Sequence, residues 1–66
     1  MERKMAEQVV FDLKRKNGPH LTILEAKAMK KIVVEGHEVY ALKRNNIIFL
    51  AWKCENGKIT TQVHFC

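Results

Sequence analysis

The amino-acid sequence predicts a small α+β domain, with helices in the first half of the chain and strands in the second. Two observations support this class. Apolar residues recur with helical spacing near the start of the chain, and two strand-like runs flank an Asn-Gly turn near its end. A chain of 66 residues is close to the lower size limit for one apolar core, so we expect a single domain over residues 1–66.

The first predicted helix covers residues 2–16. Its apolar stripe consists of residues four apart: Met5, Val9 and Leu13. Charged residues, Asp12 among them, are expected on its remaining surface. The Asn-Gly-Pro segment at 17–19 ends the helix, because its first two residues tolerate left-handed backbone and proline prevents the helix from resuming.

The second predicted helix begins at a capping box. Thr22 is a suitable N-cap, and Glu25 stands three residues later, where its side chain reaches back to the cap. The helix is expected to end within 30–33, since β-branched residues and then a glycine follow. Its inward stripe is predicted to consist of Leu24, Ala28 and Ile32.

The C-terminal part predicts a β-hairpin. Ile47–Cys54 is apolar on both faces, which is typical of a strand that is covered on two sides or paired with another subunit. Asn56-Gly57 is a favourable two-residue turn, and the residues from Lys58 onward alternate between apolar and polar. Such a turn predicts the cross-strand pairs Trp52–Thr61, Leu50–Val63 and Ile48–Phe65, with Trp52 in the core.

The segment 36–46 has two interpretations. As a helix, it turns Val39 and Leu42 inward. As a strand, it pairs with the strand that follows through a tight turn at Asn45-Asn46. The second interpretation gives two helices and a three-stranded antiparallel meander. Asparagine accepts the positive φ of such a turn and also the left-handed end of a helix, so both interpretations stay open.

Three short motifs follow one another along the chain. They are Gly-Pro at 18–19, Leu-Thr-x-x-Glu-Ala at 21–26 and Val-Tyr-x-Leu at 39–42. Their order resembles the winged helix-turn-helix superfamily of DNA-binding proteins, and the last motif resembles its excisionase and MerR-like branch. The resemblance implies a winged-helix-like α+β domain. Two N-terminal helices, a short third helix in the DNA major groove and a C-terminal β-hairpin would form it.

The resemblance, together with a net charge of +5, predicts a small, basic, non-enzymatic DNA-binding regulatory protein. Duplex DNA is the expected partner, and a homodimer is the expected assembly. A cytoplasmic protein without a membrane partner is expected, since no run is typical of a signal peptide or a transmembrane span. The residues predicted to contact nucleic acid are Lys27, Lys30, Lys31, His37, Lys43, Arg44, Lys53 and Lys58.

The meander interpretation predicts another class of function, a protein-interaction module that acts as an inhibitor or adaptor on a protein target. Two helices would cover one face of its sheet and leave an apolar second face. Homodimerisation is the simplest way to bury such a face. The predicted dimer interface is Tyr40, Leu42, Ile47 and Phe49.

No catalytic residue, cofactor or metal site is predicted. The sequence has no phosphate-cradling glycine loop, zinc-protease helix or nucleophile elbow. The possible zinc ligands lack finger-like spacing: His20, His37, Cys54, His64 and Cys66. The two cysteines fall at opposite ends of the predicted hairpin, so an internal disulfide is not expected.

Overall fold

The computed structural model describes residues 1–66 as two helices followed by a four-stranded antiparallel sheet. The elements are α1 (Arg3–Arg15), α2 (Ile23–Lys27), β1 (Lys30–Val34), β2 (His37–Arg44), β3 (Ile47–Lys53) and β4 (Ile59–Phe65). The strands lie in the sheet in the same order as in the chain, which makes the sheet a meander. The predicted α+β class is confirmed.

The predicted third helix is wrong, because residues 37–44 form β2. Two tight connections hold this segment extended: Glu35 and Gly36 adopt left-handed backbone with φ of 51° and 82°, and Asn45 does so with φ of 54°. The β-branched run at 32–34 extends the sheet by one strand beyond the predicted three-stranded meander. The residues matched to a recognition helix therefore lie within the sheet.

The two helices begin and end close to the predicted positions, but the second is shorter. Asn17 has a φ of 58° immediately after α1, as the Asn-Gly-Pro stop predicts. The Thr22–Glu25 capping box is present, with both reciprocal hydrogen bonds formed. The predicted inward stripe of α2 is wrong, since Leu24 is 78% exposed while Ala26 is buried. Neither helix is long and apolar enough to cross a membrane.

The β3–β4 hairpin has a loop of three residues, 55–57, instead of the predicted two. The backbone N–H of Cys54 donates to Lys58 at 2.8 Å, and the N–H of Gly57 donates to the Cys54 carbonyl at 2.9 Å. Gly57 supplies the left-handed position, with φ of 83°. The observed cross-strand pairs are Ala51–Thr61, Phe49–Val63 and Ile47–Phe65. The observed register differs from the predicted one by one residue. Relative to β3, each side chain of β4 therefore lies on the opposite face from the one predicted.

Both helices pack on one face of the sheet, which we term the covered face. Phe49 and Ala51 are each only 1% exposed there and join Val9, Leu13 and Leu21 in the core. The residues predicted to form a dimer interface on an uncovered face lie instead on this covered face, buried or half-buried against the core: Tyr40, Leu42, Ile47 and Phe49.

Candidate interaction surface

The opposite side of the sheet, which we term the open face, is apolar and has no helix over it. Strand alternation and the observed register place one set of side chains there. This apolar set is Ile32, Val34, Val39, Ala41, Ile48, Leu50 and Trp52. The edge strand β4 borders it with polar side chains only: Thr60, Gln62 and His64.

The apolar part of the open face is a shallow groove of about 630 Å³. At its margin on β1, Ile32 and Val34 are 43% and 48% exposed. At its centre, Leu50 and Trp52 are half-buried by their neighbours alone. Trp52 is thus not in the helix-covered core. In the observed register the apolar side chains of β4 share a face with Phe49 and Ala51, and Trp52 lies on the opposite face.

Charges of opposite sign stand at the two ends of the open face. Lys30 and Lys43 lie at the end where β1 begins and β2 finishes, which we term the lysine end. Glu35 and Glu55 line the groove at the other end, together with Lys53, and we term this the glutamate end. The five ion pairs within the chain involve none of these residues. Each of these charges is therefore available to a partner.

Arg44, predicted to contact DNA, is instead part of the domain's own packing. Its Nη1 donates to Glu25 Oε2 at 2.9 Å, and its Nη2 donates to the His20 carbonyl at 3.3 Å. The guanidinium also lies 5.2 Å from the centre of the Phe49 ring. The Thr22 backbone N–H and the Arg44 guanidinium hold the pKa of Glu25 below its ordinary value of 4.5. Arg44 thus joins the capping box of α2 to the sheet.

The structure does not bring the eight predicted nucleic-acid contacts together. Lys31 is paired with Glu38 on the covered face, with Nζ 3.3 Å from Oε2. The six that remain divide between the two ends of the sheet. Lys27, Lys30 and Lys43 lie toward the lysine end, whereas His37, Lys53 and Lys58 lie toward the glutamate end.

A buried carboxylate joins α1 to β4. Asp12 is only 7% exposed, and its Oδ2 accepts hydrogen bonds from the Thr61 backbone N–H at 3.2 Å and from the Thr61 hydroxyl. Lys16 Nζ lies 3.3 Å from the same oxygen and also donates to the Thr61 carbonyl, while Arg15 binds Oδ1. Burial raises the pKa of Asp12, but the hydrogen bonds from Thr61, Lys16 and Arg15 outweigh it. The pKa therefore lies below its ordinary value of 3.8.

The sequence pattern does not predict this cluster, because it places Asp12 with the charged residues on the exposed surface of α1. One signal was available in the sequence, because Asp12 immediately precedes Leu13 and follows Val9 by three positions. A residue so placed borders the apolar stripe of the helix. Its partner, Thr61, lies 49 positions further along the chain, at a place that depends on the register of the hairpin.

The remaining titratable side chains do not gather into a site. No group of three His, Cys, Asp or Glu residues is placed to hold a metal ion. Cys54 Sγ lies 3.0 Å from Thr60 Oγ1, and Cys66 stands at the other end of the same hairpin. Comparison of the chain with protein-family models, with curated proteins and with solved structures finds no match.

Proposed function

We propose that this chain is a non-enzymatic protein-interaction module that self-associates through its open face. One observation carries the proposal. The open face is a continuous apolar surface over three strands, and both helices lie on the other face of the sheet. Uncovered apolar patches of this kind mark interaction sites in soluble domains. Two open faces packed together would form a second core between the two sheets.

The charges at the ends of the open face support a second copy of the chain as the partner. A twofold axis lying across the strands would set the lysine end of one copy over the glutamate end of the other. Lys30 and Lys43 would then face Glu35 and Glu55 of the second copy. An axis along the strands would instead oppose lysine to lysine, which is unfavourable. The charge pattern therefore favours the face-to-face packing with its twofold axis across the strands over the packing with its axis along them.

The centre of the proposed interface is Leu50 and Trp52. Burying a side chain of this size contributes about 1.5–3 kcal/mol by removal of apolar surface from water. Tryptophan at the middle of an interface is also a frequent source of binding energy. A charge introduced at Leu50 should therefore abolish the contact.

Leu50→Glu tests the proposal. We expect this variant to have half the assembly mass of the wild type in sedimentation or light scattering, where one chain is 7.7 kDa. Leu24→Glu is the matched control, because Leu24 is 78% exposed on α2 and away from the open face, and its mass should not change. Trp52 is the only tryptophan, so its emission should shift to longer wavelength when the wild type is diluted. An unchanged mass in folded Leu50→Glu would overturn the proposal.

Binding of nucleic acid is a second candidate function. It is supported by the net charge of +5 and by three lysines without ion-pair partners toward the lysine end: Lys27, Lys30 and Lys43. With β2 in place of a recognition helix, these lysines would contact phosphates and would not read base edges. The first function has the stronger support, because an apolar surface is not what a phosphate backbone requires.

A further inference from the structure

The two edges of the sheet differ in whether their backbone groups are satisfied. In β4, the backbone groups of alternate residues point toward β3. The hydrogen bonds from Cys54 to Lys58 and from Cys66 to Asn46 show that these are the even-numbered residues. The N–H and C=O groups of the odd-numbered residues, Thr61 included, therefore point away from β3. Asp12 accepts from the Thr61 N–H, and Lys16 donates to the Thr61 carbonyl. The middle of the β4 edge is thus closed by side chains of α1, a common protection against strand addition.

The β1 edge is open. The two-residue turn at 35–36 pairs Val34 with His37, so the alternation turns the backbone groups of Lys31 and Val33 outward. No backbone hydrogen bond outside the regular elements involves either residue. The side chains are also exposed, with Val33 at 68%. An exposed edge strand that carries β-branched apolar side chains on both faces is a template for another strand.

We infer that β1 pairs in antiparallel orientation with β1 of a second copy, centred on Ile32. Along the strand and its turn stand two lysines, three β-branched residues and one glutamate, so reversing one copy brings its lysines toward the glutamate of the other. Ile32 then faces Ile32 of the second copy, and Lys31 faces Val33. Lys30 faces Val34 of the second copy, with Glu35 one position beyond. A parallel arrangement would instead set the lysines of both copies side by side, which is unfavourable.

This contact goes beyond the proposed function and uses a different surface. Its twofold axis is perpendicular to the sheet, whereas the axis proposed for the open face lies across the strands. Two perpendicular twofold axes that intersect generate a tetramer with dihedral symmetry. Each tetramer would contain two eight-stranded sheets packed through their open faces, and loss of either contact would leave a dimer held by the other.

Val33→Lys is the test variant, because its side chain lies on the covered-face side of β1 and would oppose Lys31 of the second copy. It does not alter the open face. Val33→Thr is the control, since it keeps both the β-branch and the side-chain size. We expect Val33→Lys to weaken the edge association at least about tenfold, and Val33→Thr to change it less than about twofold.

Mass measurements on a pair of single variants and their combination separate the two contacts. Leu50→Glu and Val33→Lys should each halve the mass of the wild-type assembly, and the double variant should be a monomer of 7.7 kDa. The amide hydrogens of Lys31 and Val33 should exchange more slowly as the concentration of Leu50→Glu protein rises. Exchange that is fast at every concentration, with no effect of Val33→Lys on mass, would overturn the edge pairing. An unchanged mass in Leu50→Glu alone would overturn only the proposed function.

Discussion

Asp12 and Thr61 are joined by two hydrogen bonds to a single carboxylate oxygen, one from the backbone N–H of Thr61 and one from its hydroxyl. The contact links the C-terminal part of α1 to the edge of the sheet. It satisfies a backbone donor that would otherwise be buried without a partner. This one carboxylate thus contributes to stability and also closes the β4 edge.

Asp12→Ala should lower the free energy of unfolding by about 2–3 kcal/mol, because it leaves the Thr61 donors buried and unpaired. Urea unfolding followed by circular dichroism would measure the change. Glu7→Ala, on the exposed side of the same helix, is the control and should change stability by less than about 0.5 kcal/mol. Equal losses in the two variants would contradict the role assigned to Asp12.

Stability should depend on pH through the same residue. The pKa of Asp12 is lower in the folded state than its ordinary 3.8, so the unfolded state binds more protons in the interval between the two values. The stabilisation is complete above pH 3.8 and is lost as the pH falls through the folded pKa. Asp12→Asn should remove part of this dependence, so the stability difference between variant and wild type should shrink as the pH falls below 3.8. A difference that stays constant down to pH 2 would contradict this assignment.

Arg44 and Lys43 are adjacent but should respond differently to replacement by alanine. Arg44→Ala loses the Glu25 ion pair, the bond to the His20 carbonyl and the contact over Phe49, and the last contact alone is worth about 0.5–1 kcal/mol. Lys43 has no such partner within its own chain, so Lys43→Ala should lower the stability of the domain much less than Arg44→Ala does. Thermal unfolding of the two variants side by side is the measurement. A loss in Arg44→Ala no larger than that in Lys43→Ala would contradict the packing role assigned to Arg44.

The nucleic-acid candidate predicts a specific dependence on salt. Replacing Lys27, Lys30 and Lys43 together by alanine should reduce the slope of log affinity against log salt for duplex DNA by about 2–3. The same replacement at Lys4, Lys14 and Lys53 removes equal charge elsewhere and should have a smaller effect. Fluorescence anisotropy with a labelled duplex would measure both. Equal effects of the two triple variants would reduce the candidate to general attraction by net charge.

Local chemistry was sufficient to predict several boundaries of the fold. The Asn-Gly-Pro stop after α1, the Thr22–Glu25 capping box and the turn at Asn45 depend on neighbouring residues only, and each was predicted from sequence. The sequence also allows the segment 36–46 to be a strand, but the asparagines at its end suit a helix end as well as a turn between strands. Choosing between the two required the pairing of β2 with both of its neighbours, which is a property of the whole sheet.

The candidate site was predicted as a class of surface but with the wrong residues. An uncovered apolar sheet face was expected, yet Phe49 and its neighbours were assigned to it in place of Leu50 and Trp52. The reason is the loop at 55–57, because an Asn-Gly pair suits both two-residue and three-residue hairpin loops. Cys54 and Lys58, which flank the loop, do not favour one loop length over the other.

The three-residue loop also bears on how the chain tolerates changes of length. Exposed loop tips usually accept insertions and deletions without consequence. Here, the loss of one residue from 55–57 would leave two residues between Cys54 and Lys58, which is also a favoured hairpin loop length. β4 would then keep its register, with Thr61 beside Asp12 and its polar side chains on the open face. A deletion at this tip should therefore spare the core, whereas the loss of one residue within β4 would turn a polar row toward the helices.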